Sequence, residues 1–420
     1  MSRTAQAPAL HEYILRAQLE QWPDARDQWD EFAMELANVA QAREALGEQA
    51  EVLRGFDIGN ADAAELDLLA AAVSDAEAAG LFDTAARLVE VRVAVRPFDE
   101  LAPEDLLIGA LWDGPREAIF LQRALSVRAY VAAKSDPPGP IERMAALDES
   151  LTLAEVLSWQ GGTLEYVYAW RIATSALALE RSLLRLAPVR DDVWLRTLDE
   201  RIRRFEHDFA PATHAIGGDR IVTLDSLERM HTVGGHLDDR RAAEWDGVMA
   251  SMGFDQDEYR GPLEDSLAWL DRFVQAANAS ARASGAAIVE ADAALDALHT
   301  AFVDLGDGPG ERWPALMITL SEYAQPIAWG RRTRIESAGT RVAIAIERYR
   351  LVHDQLPGSL DDLGDLLPDG LHVDPVTEQP WHYARQGETY ALASRALTGW
   401  QGDAEAGDPL GGLSIVDQAP

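Results

Sequence analysis

From residue 1 to about residue 330 the chain has almost no run of β-branched residues, and alanine, leucine, glutamate and arginine dominate it. These side chains lose little freedom on entering a helix, and an extended sheet lacks its usual building material here. Hydrophobic residues make up 47% of the 420, enough to bury a core, so a disordered chain is excluded. The length exceeds that of one typical core and predicts two or three packed units. The fold class expected is mainly α: a large multi-helix body, followed by a small α+β unit with a short antiparallel hairpin.

Start and stop signals place the helices. Leu66, Leu69, Val73 and Ala76 form one helical stripe, Ala79 to Asp83 offers a turn, and Thr84 to Val95 resumes helix up to Pro97. This helical hairpin resembles the turn of a tetratricopeptide repeat, although no 34-residue period recurs along the chain. Further helices are expected at Glu104–Leu111, Pro115–Ala133, Thr152–Trp159, Thr163–Leu186, Asp192–Phe209, Ser226–Thr232, Asp239–Met252, Pro262–Thr300 with a bend at Gly285, and Pro314–Trp329. Three prolines make Lys134–Pro140 a loop, and Asp304–Glu311 reads as a hinge. The resulting division is an N-terminal helical region over 1–133, a helical body over 141–303, a hinge and connecting helix over 304–330, an α+β unit over 331–395 and an acidic disordered tail over 396–420.

The pattern changes near residue 331. A basic cluster, Arg331, Arg332 and Arg334, precedes an amphipathic face of Ile335, Ala338, Val342, Ala345, Ile346, Tyr349 and Val352. Pro357 stops that helix, and Ser359 is a good N-cap for a short one that begins at Leu360. Asp374-Pro375 starts a turn whose carboxylate can accept backbone N–H groups. Two short period-two runs, Trp381–Arg385 and Thr389–Ser394, flank Gln386-Gly387 as a hairpin would, with Tyr383 and Tyr390 free to pack on the helix.

Four pieces stand in order here: Glu347-Arg348-Tyr349-Arg350, Leu356-Pro357-Gly358-Ser359-Leu360 with Leu363, Asp374-Pro375 with Thr377, Pro380 and Tyr383, and a final strand carrying Tyr390. In that order and spacing they resemble the globular end of type II secretion major pseudopilins, over about 60 of the 420 residues. The resemblance implies an α+β fold in which Tyr349, Pro357, Leu360, Asp374, Pro375, Tyr383 and Tyr390 are structural, and an association with the cell envelope or secretion. The whole layout is similar to large uncharacterised proteins of planctomycete-type bacteria with a helical body before such an end. Two features depart from the pseudopilin pattern. No stretch reads as the family's long apolar membrane helix. Where the family places a calcium loop, Arg395 to Trp400 intervene before Asp403, Glu405 and Asp408.

Charge narrows the partners. Thirty-seven basic against 71 acidic residues give a formal charge of −34, and Lys134 is the one lysine among the 37. A surface this negative repels polyanions and anionic membranes, so no nucleic-acid partner is expected. No segment reaches the 18 to 20 uncharged apolar residues of a membrane span, and Met1–Leu10 has no apolar signal core. That pattern favours the cytoplasm, whereas the resemblance points to the envelope. With no cysteine, disulfides, thiolate metal sites and a cysteine nucleophile are excluded.

Few residues suggest chemistry. Four of the nine histidines fall between 207 and 236. His207, His214, His231 and His236, with Asp238, are weak candidates for a zinc or iron site, since neutral imidazole and carboxylate suit both. Ordinary surface or capping roles are the other reading, because no H-E-x-x-H or H-x-H spacing occurs. Asp255-Gln256-Asp257-Glu258 lacks the rest of a calcium loop. Gly217-Gly218 and Gly234-Gly235 lack the lysine of a phosphate loop, and no G-x-S-x-G elbow exists. The twelve tryptophans read as helix-packing bulk. No catalytic residue and no cofactor is indicated. The expected function is therefore a non-enzymatic structural or protein-interaction protein. The alternatives are a metal-dependent hydrolase with its site around His207–Asp239, and a tetratricopeptide-like peptide-binding scaffold.

Overall fold

A computed structural model describes residues 6–55, 61–97, 115–135, 138–230, 263–303, 323–395 and 414–416. Among these the protein is mainly α, with one small antiparallel sheet near its C-terminus, as the composition requires. The helices are α1 (Gln6–Gln21), α2 (Trp29–Leu46), α3 (Glu48–Gly55), α4 (Ala63–Ala78), α5 (Leu81–Leu88), α6 (Pro115–Lys134), α7 (Pro140–Ser158), α8 (Thr163–Leu186), α9 (Asp192–Asp208), α10 (Ala212–Met230), α11 (Leu263–Arg282), α12 (Ala287–Val303) and α13 (Ala324–His353). The sheet has the order β1 (His382–Gln386), β2 (Thr389–Ala393), β3 (Ser414–Val416), all antiparallel.

The body is built around α7, which packs on α5, α6, α8 and α9. Every residue from Glu149 to Gln160 is buried. Leu147, Leu151, Leu153 and Leu157 join one continuous core with apolar residues of α2 to α6, α8 and α9. Each such leucine withdrawn from water contributes about 1.5–3 kcal/mol. The α4–α5 hairpin expected from the sequence is present, with Gly80 in the left-handed region between its helices. Both of its helices contribute residues to this shared core.

Several local expectations are corrected. The helix expected over Thr84–Val95 ends at Leu88. Val91, Val93 and Val95 alternate as a strand would, and Val93 forms an isolated parallel bridge with Asp27. The helix expected to start at Thr152 begins at Pro140, which occupies its first turn, where a missing N–H costs nothing. The short helix at Ser226 is the end of α10, which runs straight through Gly217-Gly218. Both glycines are there for close packing: a Cβ on Gly218 would overlap the Gly161 carbonyl, and one on Gly217 would overlap the Tyr13 hydroxyl. The expected bend at Gly285 is a full break between α11 and α12. Gly285 takes φ +55° and its N–H donates to the Val376 carbonyl at 2.7 Å. The boundary expected at residue 331 falls inside α13, which is continuous from Ala324 to His353. The helices expected at Glu104–Leu111 and Asp239–Met252, and the hinge at 304–311, lie outside the described residues.

The C-terminal unit wraps the second half of α13. A 3-10 turn (Leu360–Leu366), the hairpin and β3 pack against it. Ile335, Val342 and Ile346 meet Leu356, Leu363, Val376, Trp381, Tyr390 and Leu392 in one core. The hairpin turns at Gly387, with φ +60°, between the paired residues Gln386 and Thr389. The tail expected to be disordered over 396–420 contributes β3: the β-branched Ile415 and Val416 sit in a strand paired with β2.

Candidate functional site

The residues singled out in the C-terminal unit converge, each with a physical task. Asp374 is fully buried. Its Oδ1 accepts from the N–H groups of Val376 (2.7 Å) and Thr377 (3.0 Å), and the Ser394 hydroxyl donates to its Oδ2. This closes the turn that Pro375 opens, and the Pro375 carbonyl accepts from Arg334 Nη2 at 3.2 Å. The Tyr383 hydroxyl donates to the Pro357 carbonyl at 2.9 Å, tying β1 to the segment after α13. The Asp362 carboxylate accepts from the N–H groups of Gly358 (2.8 Å) and Ser359 (2.9 Å), so the chain is capped where Leu360 begins its turn. Tyr349 stacks on His353 with centroids 4.1 Å apart. Tyr390 is buried against Glu347. Burial and that carboxylate push the phenol well above its usual range, and burial raises Glu347 as well.

α13 is also fixed to the body by arginines. Arg331 Nη1 meets Asp292 of α12 at 2.7 Å. Arg341 reaches Asp199 and Glu206 of α9, both at 2.8 Å, and Arg348 reaches Asp192 at 2.8 Å. From α8, Arg181 pairs with Glu336 and donates to Thr340 Oγ1 at 2.8 Å. Every residue from Ile335 to Glu347 is buried. The guanidinium fork suits these sites because it satisfies two or three acceptors from one rigid plane. The basic cluster before the amphipathic face is therefore an anchor: Arg331 and Arg334 bind as above, and Arg332 lies 5.7 Å from the Trp170 ring centroid.

The body carries a second buried ionic set on α7. Arg143 is paired with Glu180 of α8, donates to the Ala187 carbonyl at 3.0 Å and lies over the Trp194 ring. Arg201 of α9 serves Asp148, Glu155 (2.8 Å) and Thr152 (3.0 Å). Glu149 faces Arg128 at 3.6 Å and lies beside the Asp148 carboxylate, and among the described residues its Oε2 has no hydrogen-bond partner. Burial pushes the Glu149 carboxyl up to about 7.

Of the four candidate histidines, the two described ones, His207 and His214, belong to no ligand set among the described residues. His214 is 5% exposed and packs between the rings of Tyr13 and Trp159. Its Nε2–H donates to the Trp159 carbonyl at 3.0 Å, and burial holds its pKa down to about 4, so it is a neutral structural group. His207 is largely exposed, with Nδ1 at 2.8 Å from its neighbour Asp208. His231, His236 and Asp238 lie outside the described residues, as do Asp255–Glu258, Gly234-Gly235, Asp403, Glu405 and Asp408. Among the described residues no group of three or more His, Asp or Glu side chains could hold a metal ion. No described helix is long and apolar enough to cross a membrane. A groove of about 630 Å³, open to solvent, runs past Trp22, Asp24, Arg26, Gln28 and Arg92. Compared with protein-family models, curated proteins and solved structures, the chain matches none.

Sequence reasoning missed the buried ion pairs. Their one signal is the near-total choice of arginine over lysine, which is what bidentate, desolvated pairing demands.

Proposed function

We propose that the chain is a non-catalytic protein-interaction protein, a helical body that presents a pseudopilin-like end and is associated with the envelope or with secretion. The observation that carries this reading is the double embedding of α13. Its first half and its arginines are held by α8, α9, α11 and α12, while its second half forms the core of the small unit. The helix that supports the sheet is thereby held by the body, which leaves the sheet side as the surface that this reading takes to be presented. The convergence of Asp374, Pro357, Tyr383 and Tyr390 around α13 supports the likeness.

The test is affinity capture with the intact chain at about 0.15 M salt, where exposed charges further apart than a Debye length are largely screened. A stoichiometric protein partner is expected, and it should be lost on Asp374→Ala, which dissolves the turn beneath the sheet. Capture of no protein partner at that salt overturns the reading.

A further inference from the structure

The sheet is finished by a strand that holds its place weakly. β1 and β2 pair over five residues each. On its other edge β2 meets only the three residues of β3, through two register pairs, Leu392 with Val416 and Ala393 with Ser414, and the register shifts between them. β3 also packs against α8 and α13, so the strand fills a slot bounded by β2 and two helices. The floor of that slot is apolar: Tyr390 is 3% exposed and Leu392 fully buried. Twenty residues separate Ala393 from Ser414. Residues 396–420 carry Asp403, Glu405, Asp408 and Asp417 with no lysine or arginine, in a chain already at −34. The protein's own strand thus arrives on an acidic segment at an acidic molecule, which like-charge repulsion disfavours. Strand addition at such an edge draws its affinity from main-chain hydrogen bonds and its selectivity from alternate side chains and flanking charge.

We propose that the β2 edge between α8 and α13 is a docking slot for an extended partner segment with β-branched apolar residues and basic flanks, which displaces Ser414–Val416. This rests on reading the C-terminal unit as an interaction end, but it fails separately. A partner captured elsewhere on the molecule leaves Ser414–Val416 in the slot.

The test uses the intact chain, its Val416→Pro variant and two fluorescent peptides. One spans residues 411–418, and the other has lysine in place of Gly411 and Asp417. Val416 is registered against Leu392, and a proline there has no N–H to offer the ladder, which frees the slot. The variant should bind the lysine peptide about tenfold tighter than the wild type does, because its slot is no longer shared with the internal strand. The lysine peptide should outbind the native one, and that advantage should shrink as salt rises from about 0.05 to about 0.3 M. Amides of Leu392 and Ala393 should lose protection from hydrogen exchange in the variant and regain it with peptide. A variant with the wild-type circular dichroism that binds neither peptide, or that binds a scrambled peptide equally, overturns the proposal. If the variant loses its helical signal, wild-type protein with excess lysine peptide decides. Faster exchange at Ile415 and Val416 supports displacement, and unchanged exchange overturns it.

Discussion

Two helices carry long stretches buried on every side, Glu149–Ser158 in α7 and Ile335–Glu347 in α13, and they are enclosed by different means. α7 is surrounded by other helices and meets them with charge: Arg143, Glu149 and Glu155 are all buried, and the first and last are paired across α8 and α9. α13 is held to the body by arginine pairs spread from Arg331 to Arg348. Over its second half it is wrapped by a unit whose order comes from short-range turn chemistry at Asp362, Asp374 and Gly387. The body depends on pairs distant in sequence, whereas the C-terminal unit depends on residues a few positions apart. Damage should therefore spread through the body and stay local in the unit.

The sharpest way to break that contrast is to unpair one charge on α7. Glu180→Gln leaves Arg143, 1% exposed, without its carboxylate. Stripping one partner from a buried pair costs about 3–5 kcal/mol, whereas replacing both by apolar residues of similar volume is near neutral. Urea unfolding followed by circular dichroism should show that loss across the whole helical signal, and Arg143→Met with Glu180→Leu should recover most of it. A loss under about 1 kcal/mol for Glu180→Gln would mean that α7 is not held by its charges.

In the other region, Asp374→Ala removes the acceptor for two backbone N–H groups and the Ser394 hydroxyl. Orphaned buried donors cost about 1–3 kcal/mol each and are not additive, so about 3 kcal/mol is expected in total. The loss should appear as faster hydrogen exchange over residues 356–394 while α6 to α9 stay protected. Equal loosening of both regions would erase the distinction between local and long-range order.

pH separates the two kinds of burial within the body. Glu149 is raised from 4.5 to about 7, so the folded state binds the extra proton between those values and stability falls as pH rises through them. His214 is lowered from 6.5 to about 4, so the unfolded state binds the extra proton and stability falls as pH drops from 6.5 toward 4. Over their common interval the two slopes, each at most about 1.4 kcal/mol per pH unit, oppose one another. Relative to wild type, Glu149→Gln should therefore gain stability from pH 4.5 to about 7 and nothing below. His214→Gln should show the reverse slope from about pH 4 to 6.5. Parallel slopes in the two variants would contradict the assigned directions.

The same contrast explains what could be read from the sequence. The helices from Pro115, Thr163 and Asp192 were legible because proline, glycine and aspartate mark their starts. The hairpin and the Asp374 turn were legible because each signal lies within a few residues of its effect. The first three turns of α7 were not, since Arg143, Asp148 and Glu149 look like a solvated face until α6, α8 and α9 supply their partners. His214 looked like part of a ligand cluster because sequence cannot reveal that Tyr13, 201 residues earlier, stacks on its ring. β3 hid in an acidic, glycine-rich stretch because three residues are too short a run to register. The signal at Val91, Val93 and Val95 was present: three β-branched residues in strict alternation argue against helix.

The smallest expected effect tests whether arginine matters by type or by place. Arg16 pairs with Glu20 at 3.1 Å, but the two side chains are 76% and 69% exposed. Their attraction is screened by water, and holding two long side chains in one geometry costs entropy, so Arg16→Ala should change unfolding stability by no more than about 0.5 kcal/mol. Arg201, by contrast, serves two carboxylates and a hydroxyl from a plane that is 6% exposed. If Arg16→Ala proved as costly as losing a buried pair, the preference for arginine would be a property of the whole surface. If it is silent, the 36 arginines beside the lone Lys134 divide into a few that hold α7 and α13 in place and a majority that keep an acidic molecule solvated.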